Sequence, residues 1–211
     1  MHIESVTDLD EVKILGYFES LRGVFATKLT VLIALTGERD GERLLEIGRL
    51  PADAISAAEA MFPDDLTFKS LRARNPDMHA NLVEDLVTSH VTASWNVFEL
   101  IVKDLLRTDY VLQAGDMSAN YQNSRFQFTA REKKDLELFY YIRNAIHHYN
   151  GAYYASKLID HRYKDVDYVS AGHEGEKIFC SIAIAHAIGC DLERFALKAW
   201  TSAQALAQLS P

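Results

Sequence analysis

Cysteine is scarce: Cys180 and Cys190 are the only two in 211 residues. Two thiols make neither a disulfide framework nor a zinc site by themselves. On a shared helix they would stand roughly 15 Å apart, beyond bonding range. A reduced, cytoplasmic protein is the expectation. Four prolines and ten glycines exclude a collagenous or low-complexity chain. Long apolar runs are missing. The longest, Val31 to Leu35, falls far short of the roughly 20 residues that span a bilayer. Met1 to Asp10 is acidic and lacks the apolar core of a signal segment. No membrane partner is expected. Positive charge is the minority, with 22 Lys and Arg against 30 Asp and Glu, a net charge of −8. The acidic balance argues against a broad nucleic-acid-coating surface, because phosphate binding is driven by clustered Lys and Arg. A small RNA-cutting site is not excluded.

What the chain does have is helical periodicity. Phe18, Leu21, Phe25, Leu29 and Leu32 recur at three and four residues and predict a long first helix after a capping box of Asp8 and Glu11. Gly16 and Gly23 are expected to loosen it, and Gly37 to Gly41 to turn the chain. Short helices are expected over 42–48 and between Pro51 and Pro63. A second long helix is predicted from Asp77 to about Thr108, with Trp95, Phe98, Val102, Leu105 and Leu106 along one side. Residues 109–127 read as a long loop. Thr129 and Glu132 form a second capping box, opening a helix through Leu136, Phe139, Ile142 and Ile146. Residues 160–175 read as loop with room for a strand pair, and the last helix is expected from Glu176 to Leu209. The fold class is all-α, one domain with an extension.

Chemistry concentrates in the stretch Tyr140 to Gly151. On a helix, Leu138, Ile142, Ala145, Ile146 and Tyr149 point toward a core. Asn144 and His148, four apart, point away, with Tyr141 and Glu137 nearby. Arg143 and His147 flank that polar side. These are groups that a phosphate ester needs: Arg holds a phosphate in a fork, and histidine moves protons near neutral pH. The bland alternative is a surface pair at a helix end, where a cation suits the last carbonyls. The five tyrosines 140, 141, 149, 153 and 154 either stack RNA bases or pack a core or interface, packing being the commoner use. His161, His173 and His186 share no ligand spacing, so no metal site is expected.

Arg143-Asn144-x-x-x-His148, with Gly151 just after, resembles the signature of the HEPN superfamily of helical domains, Arg followed by His after four to six residues. The segment Ser94 to Leu106 is similar to the family's first core helix, where an acidic residue often follows an aromatic; here that residue is Glu99. A second copy, Arg74-Asn75-Pro76-Asp77-Met78-His79, has the same spacing, but Pro76 takes Asn75 out of helical geometry. The resemblance implies an HEPN-like bundle over 76–211, preceded by a helical extension over 1–75. It also implies a metal-independent endoribonuclease working without a cofactor, on an RNA substrate, as a homodimer with a composite site. Arg143, His148 and Asn144 would be catalytic, supported by Glu99, His147 and Tyr141. Such proteins resemble toxins or phage-defence effectors and often meet an antitoxin or regulatory protein. The Arg-x4-His-x-Tyr variant, whose tyrosine takes a nucleotide, is not matched, since Asn150 stands two past His148. The resemblance leaves open a non-catalytic adaptor that binds a nucleotide or a protein through the same site.

Overall fold

A computed structural model describes residues 9–36, 77–107, 124–155 and 158–209. They are mostly helical. In chain order come α1 (Glu11–Thr36), α2 (Met78–Arg107), a 3-10 turn (Ser124–Phe126), α3 (Ala130–His148), β1 (Asp160–Tyr163), β2 (Val166–Val169) and α4 (Ile182–Leu209). The all-α class stands. Part of the stretch read as loop with room for a strand pair is an antiparallel hairpin, with Asp160 opposite Val169 and Tyr163 opposite Val166. Among the described residues, no helix is long and apolar enough to cross a membrane. The expected turn at 37–41, the helices over 42–48 and 51–63, most of the 109–127 loop and the Arg74 end of the duplicate motif lie outside the described residues. So does the expected boundary between an extension and a domain near residue 76.

Helix starts follow local chemistry. Asp10 caps α1: its Oδ1 accepts from the Lys13 amide at 2.8 Å, satisfying a donor that the first turn leaves open. Asp8 lies outside the described residues. The helix runs unbroken through Gly16 and Gly23, where the expectation was loosening. α3 opens on the predicted box. Thr129 Oγ1 accepts from the Glu132 amide at 3.2 Å, and Glu132 Oε2 accepts from the Thr129 amide at 2.7 Å. The last helix starts at Ile182 rather than Glu176. Residues 176–178 are instead used as a backbone partner for the turn after α3, through Tyr153 N–H to Glu176 O and Ile178 N–H to Gly151 O.

The chain divides into two compact units, Met1–Gly23 with Val87–Pro211, and Val24–Leu86. In the second unit Phe25, Leu32 and Leu86 are buried, and Lys28 pairs with Asp85 at 3.3 Å. In the first, Ile14, Phe18, Trp95, Phe98, Leu136, Phe139, Ile142, Leu192 and Phe195 form the core. Aromatic contacts run from Phe126 through Phe128 and Phe195 to Phe139 and Tyr163, the last pair edge-on at 4.9 Å. Trp95 sets α2 against α3 through Tyr140, at 5.5 Å between ring centroids. The start of α1 belongs to this unit: Arg22 pairs with Glu193, and Trp200 donates to the Leu9 carbonyl. The site residues all lie within this unit, on α2, α3 and the turn after α3.

Candidate functional site

The last turns of α3 present four polar side chains in a row. Arg143 and Asn144 are half-buried, while His147 and His148 are exposed. Arg143 Nη1 donates to Asn144 Oδ1 at 2.9 Å. Its Nε is buried with no hydrogen-bond partner, a state that costs about 1–3 kcal/mol and calls for an explanation when it occurs in a folded protein. The His147 and His148 rings lie 6.2 Å apart. Desolvation first, then the charges of Arg143 and His148, lower the pKa of His147 below the ordinary histidine value. Its imidazole is thus biased toward the neutral, proton-accepting form.

The helix ends abruptly. Tyr149 is the C-cap, and its amide and that of Gly151 both donate to Ala145 O at 2.9 Å, which satisfies a last-turn carbonyl twice. Asn150 and Gly151 take φ of 52° and 72°, the left-handed region that glycine enters without penalty. Lys177 Nζ donates to the Asn150 carbonyl at 2.5 Å. The chain therefore doubles back, and Tyr154 lands on α3. The Tyr141 hydroxyl donates to Tyr154 O at 3.0 Å and accepts from Tyr154 N at 2.8 Å.

Three tyrosines then stack. Tyr154 lies 4.2 Å from Tyr141 and 4.2 Å from Tyr149, with interplanar angles of 8° and 9°. Tyr141 is fully buried, and Tyr149 is 43% exposed. Burial above all pushes the Tyr154 hydroxyl up to about 12, the nearby Tyr141 adding to this and a hydrogen bond with Asn144 opposing it. Asn144 thus accepts from Arg143 and lies near the Tyr154 hydroxyl.

Two expected supporters have other partners. Tyr141 was expected beside Asn144 and His148, but its ring is core. The apolar face of α3 is widened there because the returning loop packs on it. Tyr149 shows the reverse. It was expected to point inward, and the turn at 149–151 leaves it substantially exposed. Glu99, expected to steer Arg143 or His148, bonds instead to Trp95 Nε1 at 3.2 Å and to Lys103 Nζ at 2.5 Å. Arg143, Asn144, His147 and His148 do share one end of α3, although no hydrogen bond joins Arg143 to His148. Tyr154 is one of the five tyrosines read as stacking or packing, whereas nothing local in the sequence marks Lys177.

The opposite end of α3 also carries titratable groups. Asp135 Oδ1 lies 2.6 Å from His161 Nε2, both side chains nearly buried. Glu132 meets Lys198 at 2.6 Å and Arg194 at 3.6 Å. Burial by itself raises the Glu132 pKa, but hydrogen bonds from Lys198 and Thr129 outweigh it and leave the carboxyl below its ordinary value. Among the described residues, no three His, Cys, Asp or Glu side chains are grouped to hold a metal ion. No family model, curated protein or solved structure matches this chain.

Proposed function

We propose that this protein is an HEPN-type endoribonuclease acting without a metal ion, in the cytoplasm, as a toxin or phage-defence effector. The observation that carries the reading is the grouping of Arg143, Asn144, His147 and His148 on the closing turns of one helix, with both imidazoles exposed and Arg143 held by Asn144. In this reading Arg143 holds the scissile phosphate and stabilises the charge that develops on it. His148 moves the proton as the RNA 2′-hydroxyl attacks the adjacent phosphorus. A P–O2′ bond forms, the P–O5′ bond breaks, and a proton goes to O5′. The products carry a 2′,3′-cyclic phosphate and a 5′-hydroxyl. Asn144 orients Arg143. DNA lacks the attacking hydroxyl and is left intact. A homodimer bringing two α3 ends together would complete the site, and an antitoxin or regulatory protein would hold it in check.

The test is incubation of purified protein with single-stranded and structured RNA in EDTA. Arg143→Ala and His148→Ala are each expected to lower the cutting rate by about 10²-fold or more, the scale of a lost acid–base or charge-stabilising group. Cutting that persists in both variants refutes the assignment. A second reading, a non-catalytic adaptor binding a nucleotide, is favoured by the net charge of −8 and by the use of Arg143 Nη1 on Asn144. Thermal protection by nucleotides with RNA left whole would support it.

A further inference from the structure

We infer that the tyrosine ladder Tyr141–Tyr154–Tyr149 is a base-stacking platform, on whose outer ring, Tyr149, an unpaired RNA base beside the scissile phosphate is bound. The inference rests on the reading of α3 as an RNA site and adds to it the part of the substrate that is recognised.

Three features point to a ligand rather than to packing alone. The ladder is built in order, from a fully buried ring at its base to a ring 43% exposed at its end, with near-parallel rings 4.2 Å apart at both steps. A hydrophobic core has no need of an open-ended stack, whereas a nucleobase presents a flat π-face of the same kind. The ladder is also rigid. Tyr154 is fixed through both its backbone N–H and its C=O by the Tyr141 hydroxyl, and the turn that places it is held by Lys177 on the Asn150 carbonyl. A preformed platform loses little freedom when a base settles on it. Finally, the ladder is wired to the proposed phosphate-holding group. Asn144 accepts from Arg143 and lies close enough to the Tyr154 hydroxyl to oppose its upward shift, and the Tyr149 ring lies 6.4 Å from that of His148. One base on Tyr149 would therefore bring its neighbouring phosphate toward Arg143 and His148.

The chemistry of selection follows. Stacking on a tyrosine face tolerates any base but requires one that has left its own stack, so unpaired RNA binds and continuous duplex does not. Tyr149 acts here as a positioning residue: it holds the base and takes no part in proton transfer.

The test uses the full-length His148→Ala protein, which binds without cutting, and a short single-stranded RNA carrying the fluorescent base 2-aminopurine. Binding is expected to quench the fluorophore. Adding Tyr149→Ala is expected to weaken binding roughly ten-fold or more, and Tyr149→Trp to preserve it. An RNA with a single abasic residue at the stacked position should lose the same factor against Tyr149, and lose nothing further against Tyr149→Ala. In the cutting protein, Tyr149→Ala should raise KM by that factor and leave kcat within a few-fold. Binding unchanged in Tyr149→Ala, or an abasic penalty equal in both backgrounds, overturns the platform while leaving the nuclease reading intact. The expected binding losses with no cutting by the wild-type protein would support the platform and overturn the nuclease reading. Absence of RNA binding in every variant overturns both.

Discussion

The two ends of α3 carry comparable sets of ionisable groups and treat them in opposite ways. At the N-terminal end Glu132 and Asp135 are nearly buried and matched, by Lys198 and Arg194 for the one and by His161 for the other. At the C-terminal end His147 and His148 face solvent, and the Arg143 Nε is buried without an acceptor. Charge whose job is to hold a fold together is placed against its counter-charge, because an unmatched buried charge is costly. Groups left open on a stiff scaffold contribute little to stability and are the ones available to a ligand. The difference between the ends, rather than the residue types, separates structural from functional candidates here, since both ends contain histidine and arginine partners within reach.

The strongest way to break the comparison is at the matched end. His161→Ala leaves Asp135 nearly buried without its partner and removes one of the contacts between β1 and α3. It is expected to cost about 2–4 kcal/mol in urea unfolding, with no change in cutting per folded molecule. A cost under about 0.5 kcal/mol would mean that the contact is ornamental.

Acid is the next lever. His90 on α2 is 5% exposed, and burial first, then the charge of His186, lowers its pKa from 6.5 to about 4. The unfolded chain binds this proton more readily than the folded one, so stability is complete above pH 6.5 and falls as pH drops toward 4. The loss reaches up to about 3 kcal/mol at 1.36 kcal/mol per unit. Unfolding curves at pH 7 and 4.5 measure it, and His90→Gln should flatten the slope between them. Glu132 acts in the same direction at lower pH: its lowered pKa supplies stability above the ordinary carboxylate range that is lost as the group protonates.

A subtler probe sits between the ends. Tyr141→Phe removes the hydroxyl that serves both backbone groups of Tyr154 and is expected to cost about 1–3 kcal/mol. It should also loosen the aromatic ladder, seen as weaker near-ultraviolet circular dichroism. Smallest of all, Thr129→Ala removes half of the capping box and should cost about 1 kcal/mol, read as a shift of the unfolding midpoint.

Local chemistry was legible in the sequence and long-range chemistry was not. The Thr129–Glu132 box, the long helices and the all-α class follow from patterns a few residues wide, and these appear in the structure. The polar row Arg143, Asn144, His147 and His148 was legible because three- and four-residue spacing on one helix is also local. Tyr141 and Tyr149 came out exchanged. A helical wheel carried through residue 149 takes no account of a helix that stops at His148, nor of left-handed backbone at Asn150 and Gly151 that sends the chain back across its own face. The Asp135–His161 contact spans 26 residues, and the bond from Lys177 to Asn150 spans 27, so no spacing rule reaches either of them.

The most direct test is a crossed measurement of RNA cutting and melting temperature on His148→Ala and His161→Ala. The account predicts that His148→Ala abolishes cutting with its melting temperature unchanged, whereas His161→Ala melts several degrees lower and still cuts at full rate below its transition. The account is contradicted if His148→Ala cuts normally, or if it melts as low as His161→Ala, because the exposed imidazole would then belong to the framework and not to a site.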